Sequence, residues 1–431
     1  MNSNRTTDQR EILATNGLGS YSLCGVNGQS FRIYHGLLTV ALNPPVNRVH
    51  LIGEFLIKSP DEMGGAVTLC PDTAAAMPYP IATETWNFND KRLKVTRERA
   101  FKYGQQLLGL SYTFNSEMDQ QLHLVPLFNI RDHHDTLPSV ESDYGFGYRA
   151  DTGELKVSHP LAGAKIKSTC PFVMGVVARE AQHYEIETER GYPDRENHIE
   201  PGYYSVSLSA GQTTTVDFLL AYDGNLEQVD VASIFSEAKE RADTLKGLAS
   251  GIPAPFEPLI YAADQFIAHR STTNKASILA GYPWFTDWGR DTMIAIPGLC
   301  LATGRPELAL EMIETFLSHA QGGIIPNNFP DHGEAPMYNT VDGTLWLFQA
   351  FYAYWLETKN AEALERLYPV LKEIVKYHQE GTINKIFVDT DGLLSSGDPT
   401  TQLTWMDVKV DGWVETKNAE ALERLYPVLK E

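Results

Sequence analysis

The strongest constraint on the fold is a change of hydrophobic period near residue 225. Before this point, short runs rich in β-branched and aromatic residues alternate with polar residues, and clusters of Gly, Pro, Asn and Asp separate them. Many short strands in series favour a large antiparallel sandwich over a parallel sheet. The predicted strands are 31–40, 49–57, 66–70, 93–100, 106–114, 121–129, 154–157, 172–178, 183–187, 203–208 and 213–222.

After this point the apolar residues recur with the period of an α-helix. A charged, helix-favouring segment at 226–250 ends at the sequence GIPAP, which breaks the helical pattern. Long helices joined by loops of alternating length indicate helical hairpins, as in a barrel of paired helices. The further predicted helices are 258–270, 291–303, 306–319, 338–358 and 360–381.

Charge and composition argue against several classes of protein. The net charge is −20 and the pI is about 5.0, so nucleic acid and anionic membrane surfaces are unfavourable partners, whereas a neutral polysaccharide is compatible. The polar N-terminus has no signal-peptide pattern, and no apolar run is long enough to span a membrane. The four cysteines are scattered singly, which is typical of a reducing compartment. We therefore predict a cytoplasmic protein without a cofactor or a metal ion.

The last residues of the chain repeat an earlier segment almost letter for letter. Residues 413–431 match 355–373 at every position except one, where Val414 replaces the Leu356 of the first copy. True structural repeats diverge more and recur at a fixed period. We interpret the second copy as an artefact of cloning or recombination that replaces the natural continuation. A genuine recent duplication is the alternative.

The stretch GYPWFTDWGRDTMIAIP at 281–297 combines aromatic and charged residues at close spacing. Charges beside bulky rings must be solvated at a rim or held in a site. A sugar-binding site needs this mixture, because rings pack on the apolar faces of sugars while carboxylates and guanidinium forks bind the hydroxyls. The alternative is an aromatic loop that closes a helix pair, with charges that cap the next helix. The residues concerned are Tyr282, Trp284, Phe285, Asp287, Trp288, Arg290 and Asp291.

Three later motifs join this stretch: GGIIPNNFP at 322–330, YNTVDGTLWLF at 338–348 and LTWMD at 403–407. Together with the N-terminal sequences NGLGSYSLCG and RIYHGLLTVALNPPVNR, they resemble the bacterial and archaeal glycogen debranching enzymes, the amylo-α-1,6-glucosidase family. The resemblance covers residues 10 to about 412. It implies a multidomain β + α fold, with an N-terminal antiparallel β-sandwich followed by an (α/α)6 barrel related to that of glucoamylases.

We therefore expect four segments along the chain. They are a β-sandwich domain at 1–222, a helical linker at 223–252, a partial (α/α)6 glucosidase domain at 253–412 and the repeat at 413–431. Because the helical domain stops after about five predicted helices, the barrel is expected to be incomplete. An incomplete ring of helical hairpins leaves apolar helix faces unburied.

The resemblance also implies hydrolysis of the α-1,6-linked glucose at a trimmed branch point, by two carboxyl groups in the inverting geometry. Asp407, in LTWMD, matches the general acid of the family, and the neighbouring Trp405 and Met406 would exclude water and keep its carboxyl protonated. From the residues alone, a loop Asp that accepts backbone hydrogen bonds is the favoured alternative. No position of this sequence matches the general base of the family, so this chain is expected to hydrolyse its substrate poorly.

Further residues are expected to bind the sugar. Arg290 and Asp291 match the pair that holds the terminal glucose, since Arg supplies a planar fork of donors and Asp supplies an acceptor. Asp342 is a second candidate, and its alternative role is to complement the dipole of the helix that it begins. Tryptophan side chains would wall the pocket. The remaining candidate substrate-binding residues are Trp284, Asp287, Trp288, Asn339 and Trp405.

Three hypotheses about function remain open. The first is a debranching glucosidase that acts on an α-glucan such as glycogen or a limit dextrin. The second is a glucoamylase-like or trehalase-like hydrolase of another linkage specificity, because one scaffold supports several activities. The third is a non-catalytic glucan-binding protein that keeps the sugar-holding residues without the base.

Overall fold

A computed structural model of the chain describes residues 9–60, 66–139, 143–222, 224, 226–329, 335–397, 403–404, 409–410 and 413–414. The chain divides into two compact units. The first contains Met1–Gly247 and Glu257–Ala268, and the second contains Leu248–Phe256 and His269–Glu431. None of the helices in the described ranges is both long enough and apolar enough to span a bilayer. The segment limits predicted at residues 222, 252 and 412 stay predictions.

Short strands in series build the first unit, as the alternating pattern predicts. The first eight are β1 (Glu11–Thr15), β2 (Tyr21–Gly25), β3 (Gly36–Asn43), β4 (Val46–Pro60), β5 (Ala66–Thr68), β6 (Thr73–Met77), β7 (Ala82–Phe88) and β8 (Leu93–Phe101). The next eight are β9 (Leu107–Ser116), β10 (Gln120–Asp132), β11 (Gly145–Arg149), β12 (Glu154–Ser158), β13 (Ala164–Ser168), β14 (Phe172–His183), β15 (Arg195–Leu208) and β16 (Thr213–Ala221).

These strands form two antiparallel sheets. One has the order β1-β2-β3-β4-β10-β15-β14, with β5 paired to β4, and the other has the order β11-β12-β13-β16-β9-β8-β7-β6. The sheets face each other, because Phe55 of β4 packs on Phe218 of β16 with ring centroids 5.0 Å apart. Tyr204 of β15 packs on the same Phe218 ring at 4.9 Å. The predicted antiparallel β-sandwich is therefore confirmed.

Three helices lie near the sandwich in the chain: α1 (Glu185–Arg190), α2 (Val231–Leu248) and α3 (Glu257–Gln265). Val231 and Ile234 of α2 are buried against Leu219 and Ala221 of β16. This contact buries the apolar face that the helical period predicts for this segment. The helix therefore covers the side of the second sheet that faces away from the sandwich core.

The second unit consists of helices and short hairpins. Its helices are α4 (Gly289–Ile296), α5 (Pro306–Ser318), α6 (Asp342–Thr358) and α7 (Ala361–Glu380), and a π-helical segment, Pro297–Leu301, follows α4. The short strands are β17 (Ile267–Arg270), β18 (Lys275–Ile278), β19 (Phe387–Val388), β20 (Leu394–Ser395), β21 (Lys409–Val410) and β22 (Trp413–Val414), which pair in this order two by two. Helix α6 packs against both α4 and α5.

The helix α7 shows why these segments fold as predicted. Its buried side chains form one stripe at helical spacing, and the side chain of Asn360 accepts a hydrogen bond from the Ala363 N–H at 3.0 Å. An Asn at this position satisfies one of the backbone donors that a helix start leaves open. The stripe consists of Ala363, Leu367, Leu371, Ile374 and His378.

Some predicted elements were wrong in type or in length. The predicted strand 183–187 is wrong, because β14 ends at His183 and α1 begins at Glu185; Gly191, with φ of 73°, caps the end of this helix. The predicted helix 258–270 ends at Gln265, and its last residues join the hairpin of β17 and β18. The predicted helix 291–303 begins at Gly289, and Pro297, which has no N–H, marks the change to the π-helical segment. The strands β1, β2, β6, β7, β11, β13 and the short strands β17 to β22 were not predicted.

Candidate functional site

The start of α4 is fixed by contacts of the two residues before Arg290. Trp288 has an extended backbone and forms a bridge with Asn328, and the Gly289 N–H donates to the Asn327 carbonyl at 2.6 Å. A Cβ atom at Gly289 would lie 2.3 Å from the carbonyl oxygen of Pro326. Because no side chain fits at this position, the glycine allows the close approach that places Arg290 in the first turn of α4.

Asp287 lies just before this turn and points into the interior. Its carboxylate forms an ion pair with Arg270, whose Nε donates at 2.6 Å and whose Nη2 contacts the other oxygen. The Ser277 hydroxyl donates a third hydrogen bond at 2.6 Å. Both partners of the ion pair are almost completely buried. The oxygens of Asp287 are thus occupied by protein donors, so this geometry favours a structural role over the predicted sugar contact.

Arg290 makes a different pair with Asp342 at the start of α6. Its Nε donates to both carboxylate oxygens of Asp342, at 2.8 and 2.7 Å. The Nη2 atom of Arg290 is buried and has no hydrogen-bond acceptor among the residues that the structure describes. A buried donor without an acceptor is costly, and such groups often bind a water or a ligand. The structure therefore joins two of the predicted sugar-binding residues and leaves one donor available.

The residues before α6 position Asp342 against α4. The Thr340 hydroxyl accepts from the Gly343 N–H at 3.0 Å and donates to an Asp342 oxygen at 3.3 Å. A Cβ atom at Gly343 would lie 2.9 Å from the Thr340 Oγ1 and 3.5 Å from the backbone nitrogen of Arg290. Gly343 thus leaves room for the Thr340 hydroxyl at the start of α6, as Gly289 leaves room for the Pro326 carbonyl at the start of α4.

Asp291 follows Arg290 and is half-buried in the first turn of α4. Burial raises the pKa of its carboxyl group, the positive charge of Arg290 opposes this shift, and the negative charge of Asp342 adds to it. The side chain therefore holds its proton more tightly than an exposed Asp does. Arg290, Asp291 and Asp342 together form a small cluster, which we call the rim cluster.

Asn327 lies next to the start of α4 and bonds to Asn339, another predicted sugar-binding residue. The Asn327 N–H donates to the Met337 carbonyl at 2.6 Å, and its side-chain amide donates to the Asn339 Oδ1 at 3.2 Å. Asn327 Oδ1 is buried without a hydrogen-bond donor in the described ranges. Asn339 is thus held near the rim cluster by a neighbour that keeps one acceptor open.

Leu403, the first residue of the LTWMD motif, contacts the segment before α6 from a distant part of the sequence. The Val341 N–H donates to the Leu403 carbonyl at 2.9 Å, one residue before Asp342. Leu403 is buried in an apolar cluster with Ile324 and Ile386. Trp405 and Asp407, the remaining predicted residues of this motif, lie outside the described residues.

Two tryptophans precede α4 in a short loop. The Ala280 N–H donates to the Thr286 carbonyl at 2.9 Å and closes this loop, and both Trp284 and Trp288 are half-buried. Sequence reasoning missed Arg270, Ser277 and Thr340, which orient the predicted carboxylates. The sequence held no signal for Arg270, which lies in a segment with helical period. Within the described ranges, no three His, Cys, Asp or Glu side chains are grouped as metal ligands.

The fold and this geometry can now be compared with known proteins. A bacterial glucoamylase solved in complex with acarbose has 11% sequence identity and a TM-score of 0.53, and the match covers 88% of this chain and 60% of that one. This likeness shows that the chain shares the fold of the glucoamylase. A putative kojibiose phosphorylase from the human microbiome has 12% identity and a TM-score of 0.47, over 91% of this chain and 59% of that one.

Two family models match the sequence. The model described as amylo-alpha-1,6-glucosidase matches residues 261–423, and the model described as glycogen debranching enzyme N terminal matches 10–57 and 78–215. The glycogen debranching enzyme of Saccharomyces cerevisiae is 37% identical over 86 residues, which are 19% of this chain and 6% of the yeast protein. The chain belongs to the glycogen debranching enzyme family, and it matches only a small part of the length of its yeast relative.

Proposed function

We propose that the chain is a glycoside hydrolase of α-glucan breakdown, which releases α-1,6-linked glucose at branch points by an inverting mechanism with two carboxyl groups. Family membership and the fold of a glucoamylase support a glycosidase. Fold likeness alone does not choose the linkage, so the linkage is the more specific part of the proposal. An α-glucan is the proposed partner, and the proposed location is the cytoplasm.

The observation that carries the proposal is the open donor of Arg290. Nε binds both oxygens of Asp342, which fixes the plane of the guanidinium group, and Nη2 remains without an acceptor in the part of the chain that the structure describes. A planar fork held in this way can donate to the hydroxyl oxygens of one sugar unit. Asp291, beside Arg290, would accept a hydrogen bond from a neighbouring hydroxyl.

Asp407 is the proposed general acid. It follows Leu403 by four residues, a separation that a chain spans over at most about 14 Å. Leu403 bonds to Val341, next to Asp342 of the rim cluster. The short distance along the chain from Leu403 to Asp407 supports the proposal that Asp407 protonates the leaving oxygen of a glucose bound by Arg290 and Asp291. Trp284, Trp288, Trp405 and Asn339 are proposed to complete the pocket.

The proposal includes an (α/α)6 barrel to which the described helices of the second unit belong. One side of α6 exposes large apolar side chains, which a complete ring of helices would cover. The proposal assigns the general acid and the sugar-binding residues, and it assigns no residue of the described ranges as the general base. The exposed side chains are Leu345, Trp346, Tyr352 and Leu356.

The proposal is tested by comparing the wild-type protein with a variant that lacks the proposed general acid, Asp407. Wild type and Asp407→Asn are compared for glucose release from a phosphorylase limit dextrin, with maltose, trehalose and linear maltodextrin as alternative substrates. We expect preferential release from the limit dextrin by wild type, no release by Asp407→Asn, and unchanged maltotriose binding in both. Equal glucose release by the two proteins would remove Asp407 from the acid role.

The same experiment separates the other two functions. Faster cleavage of maltose, trehalose or linear maltodextrin would indicate a glucoamylase-like or trehalase-like hydrolase. Binding of maltotriose by the wild-type chain without release of glucose from any of these substrates would indicate a glucan-binding protein. Acarbose, which is bound in the solved glucoamylase, is a suitable probe of the rim cluster.

A further inference from the structure

A cavity lies in the first unit, at a break in one sheet of the sandwich. Its volume is about 390 Å³. Strand β4 pairs with β3 up to Ile52 and with β5 only from Lys58 onward. Between these two ladders, the edge of β4 from Gly53 to Leu56 has no strand partner among the described residues, and this edge lines the cavity. The opening is therefore part of the sheet architecture and not a gap between loops.

The pairing of β4 with β10, on its other edge, is irregular at the same place. Pro126 lies opposite Phe55 and has no N–H, and the register between β4 and β10 shifts between Pro126 and Phe128. Proline inside a sheet is found mainly at edges and bulges, and a bulge turns side chains in a new direction. Glu54, in the bulged part of β4, is buried beside Arg97 of the facing sheet.

Two buried polar side chains line the cavity with hydrogen-bonding capacity to spare. Glu54 is 6% exposed, and its Oε1 accepts from Arg97 and from the Phe55 N–H at 2.8 Å, whereas Oε2 has no partner in the described ranges. His198 is 3% exposed, and its Nδ1 has no hydrogen-bond partner there either. Burial lowers the pKa of His198 to about 4, so its ring is neutral and offers one donor and one acceptor.

The buried charges next to Glu54 balance one another. Glu54 and Glu84 pair with Arg97 and Arg99 in one buried network of two carboxylates and two guanidinium groups. A charged ligand would disturb this balance, whereas a neutral ligand with hydroxyl groups can donate to Glu54 and exchange hydrogen bonds with His198. Trp86 adds an apolar wall beside these polar groups.

We propose that this cavity is a second saccharide-binding site, which holds a neutral glucose unit of an α-glucan. The choice of sugar rests on the proposed function, and the site itself rests on Glu54, His198 and the open edge of β4. Aromatic walls with a few converging polar groups are the usual composition of sugar and small-molecule sites. The site lies in the first unit, and the rim cluster lies in the second.

Cys70 provides a reporter that needs no substitution. It is exposed and lines the cavity, whereas Cys24, Cys170 and Cys300 are buried. A maleimide should therefore react first with Cys70 of the native full chain. With maltotriose at ten times its Kd, only about one cavity in eleven stays open, so we expect labelling to slow about tenfold. Glucose 1-phosphate and glucosamine, which carry charges, should slow labelling less.

Two variants assign the effect to this cavity. We expect His198→Ala to lose the protection by maltotriose while Cys70 reacts at the wild-type rate without sugar. The matched control Arg290→Lys should keep the full protection, because Arg290 belongs to the other unit. The proposal is overturned if maltotriose leaves wild-type labelling unchanged, if the charged sugars protect equally, or if Arg290→Lys removes the protection. Glucose release is measured separately, so either proposal can fail alone.

Discussion

The second unit contains two arginine–aspartate pairs that include residues close in sequence and differ in their exposure to solvent. Arg270 and Asp287 form an interior pair, with 1% and 0% of their side chains exposed. Arg290 and Asp342 form a rim pair, with 12% and 29% exposed. Only two residues separate Asp287 from Arg290 in the sequence. One short stretch of sequence therefore contributes to a buried arginine–aspartate pair and to a partly exposed one.

The difference between the pairs lies in the hydrogen bonds that remain. Asp287 receives donors from Arg270 and Ser277, and this set occupies both of its oxygens. Arg290 keeps Nη2 without an acceptor in the described chain. Both pairs consist of an arginine and an aspartate, so residue type does not distinguish the structural pair from the proposed binding pair. The two pairs differ in whether a hydrogen-bonding group is left without a partner, because a ligand binds to groups that the protein has not already satisfied.

The largest effect is expected from breaking the interior pair. Asp287→Ala leaves the guanidinium group of Arg270 buried without its counter-charge, and such a change costs about 3–5 kcal/mol. Urea unfolding should show this loss in the free energy of unfolding. The matched control is Asp342→Ala at the rim, which should cost less than Asp287→Ala because Asp342 is 29% exposed and Asp287 is fully buried. Similar losses in the two variants would contradict the distinction between the pairs.

A smaller effect, on binding rather than on stability, is expected at the rim. Arg290→Lys replaces a planar fork by a point charge and removes the free donor. Loss of one hydrogen bond to a charged group costs about 1.5–3 kcal/mol, or roughly ten- to hundredfold in the Kd of maltotriose at the rim cluster, while binding at the cavity of the first unit stays unchanged. Titration calorimetry measures this change, and urea unfolding should show near-normal stability. Unchanged maltotriose affinity at the rim cluster, or a loss of stability as large as that of Asp287→Ala, would exclude Arg290 from the sugar site.

Sequence periodicity predicted the elements whose stability comes from a continuous apolar face. The helices α5 and α7 follow the predicted ranges to within about one residue, because their apolar stripes and first-turn residues specify both type and start. Strand length alone does not explain which strands were predicted, because β12 was predicted and β1 was missed although each contains five residues. The seven-residue strand β7 was also missed, although its burial alternates along the strand. Local pattern thus predicts long amphipathic helices better than strands.

The partners of the site residues could not be predicted from local pattern. Asp287 and Asp291 both lie beside aromatic residues in one stretch, and their different roles depend on Arg270, which is 17 residues before Asp287. Arg290 meets Asp342 across 52 residues of sequence. Motif resemblance named Arg290, Asp291 and Asp342, but only the packing of α4 on α6 shows which of them pair.

The smallest expected effect separates Asp291 from its neighbours by pH. Burial raises the pKa of Asp291 above its ordinary value of 3.8, with Arg290 opposing the shift. The folded state therefore binds this proton more tightly than the unfolded chain, so the contribution of Asp291 to stability falls as pH rises from 3.8 through the raised pKa. Asp291→Asn removes the buried charge and should be slightly more stable than wild type at pH about 7, with no such advantage at pH about 3. Urea unfolding at both pH values measures the difference. An Asn variant that is less stable than wild type at neutral pH would show that the carboxylate of Asp291 stabilises the fold, as that of Asp287 does, and would place it with the interior pair.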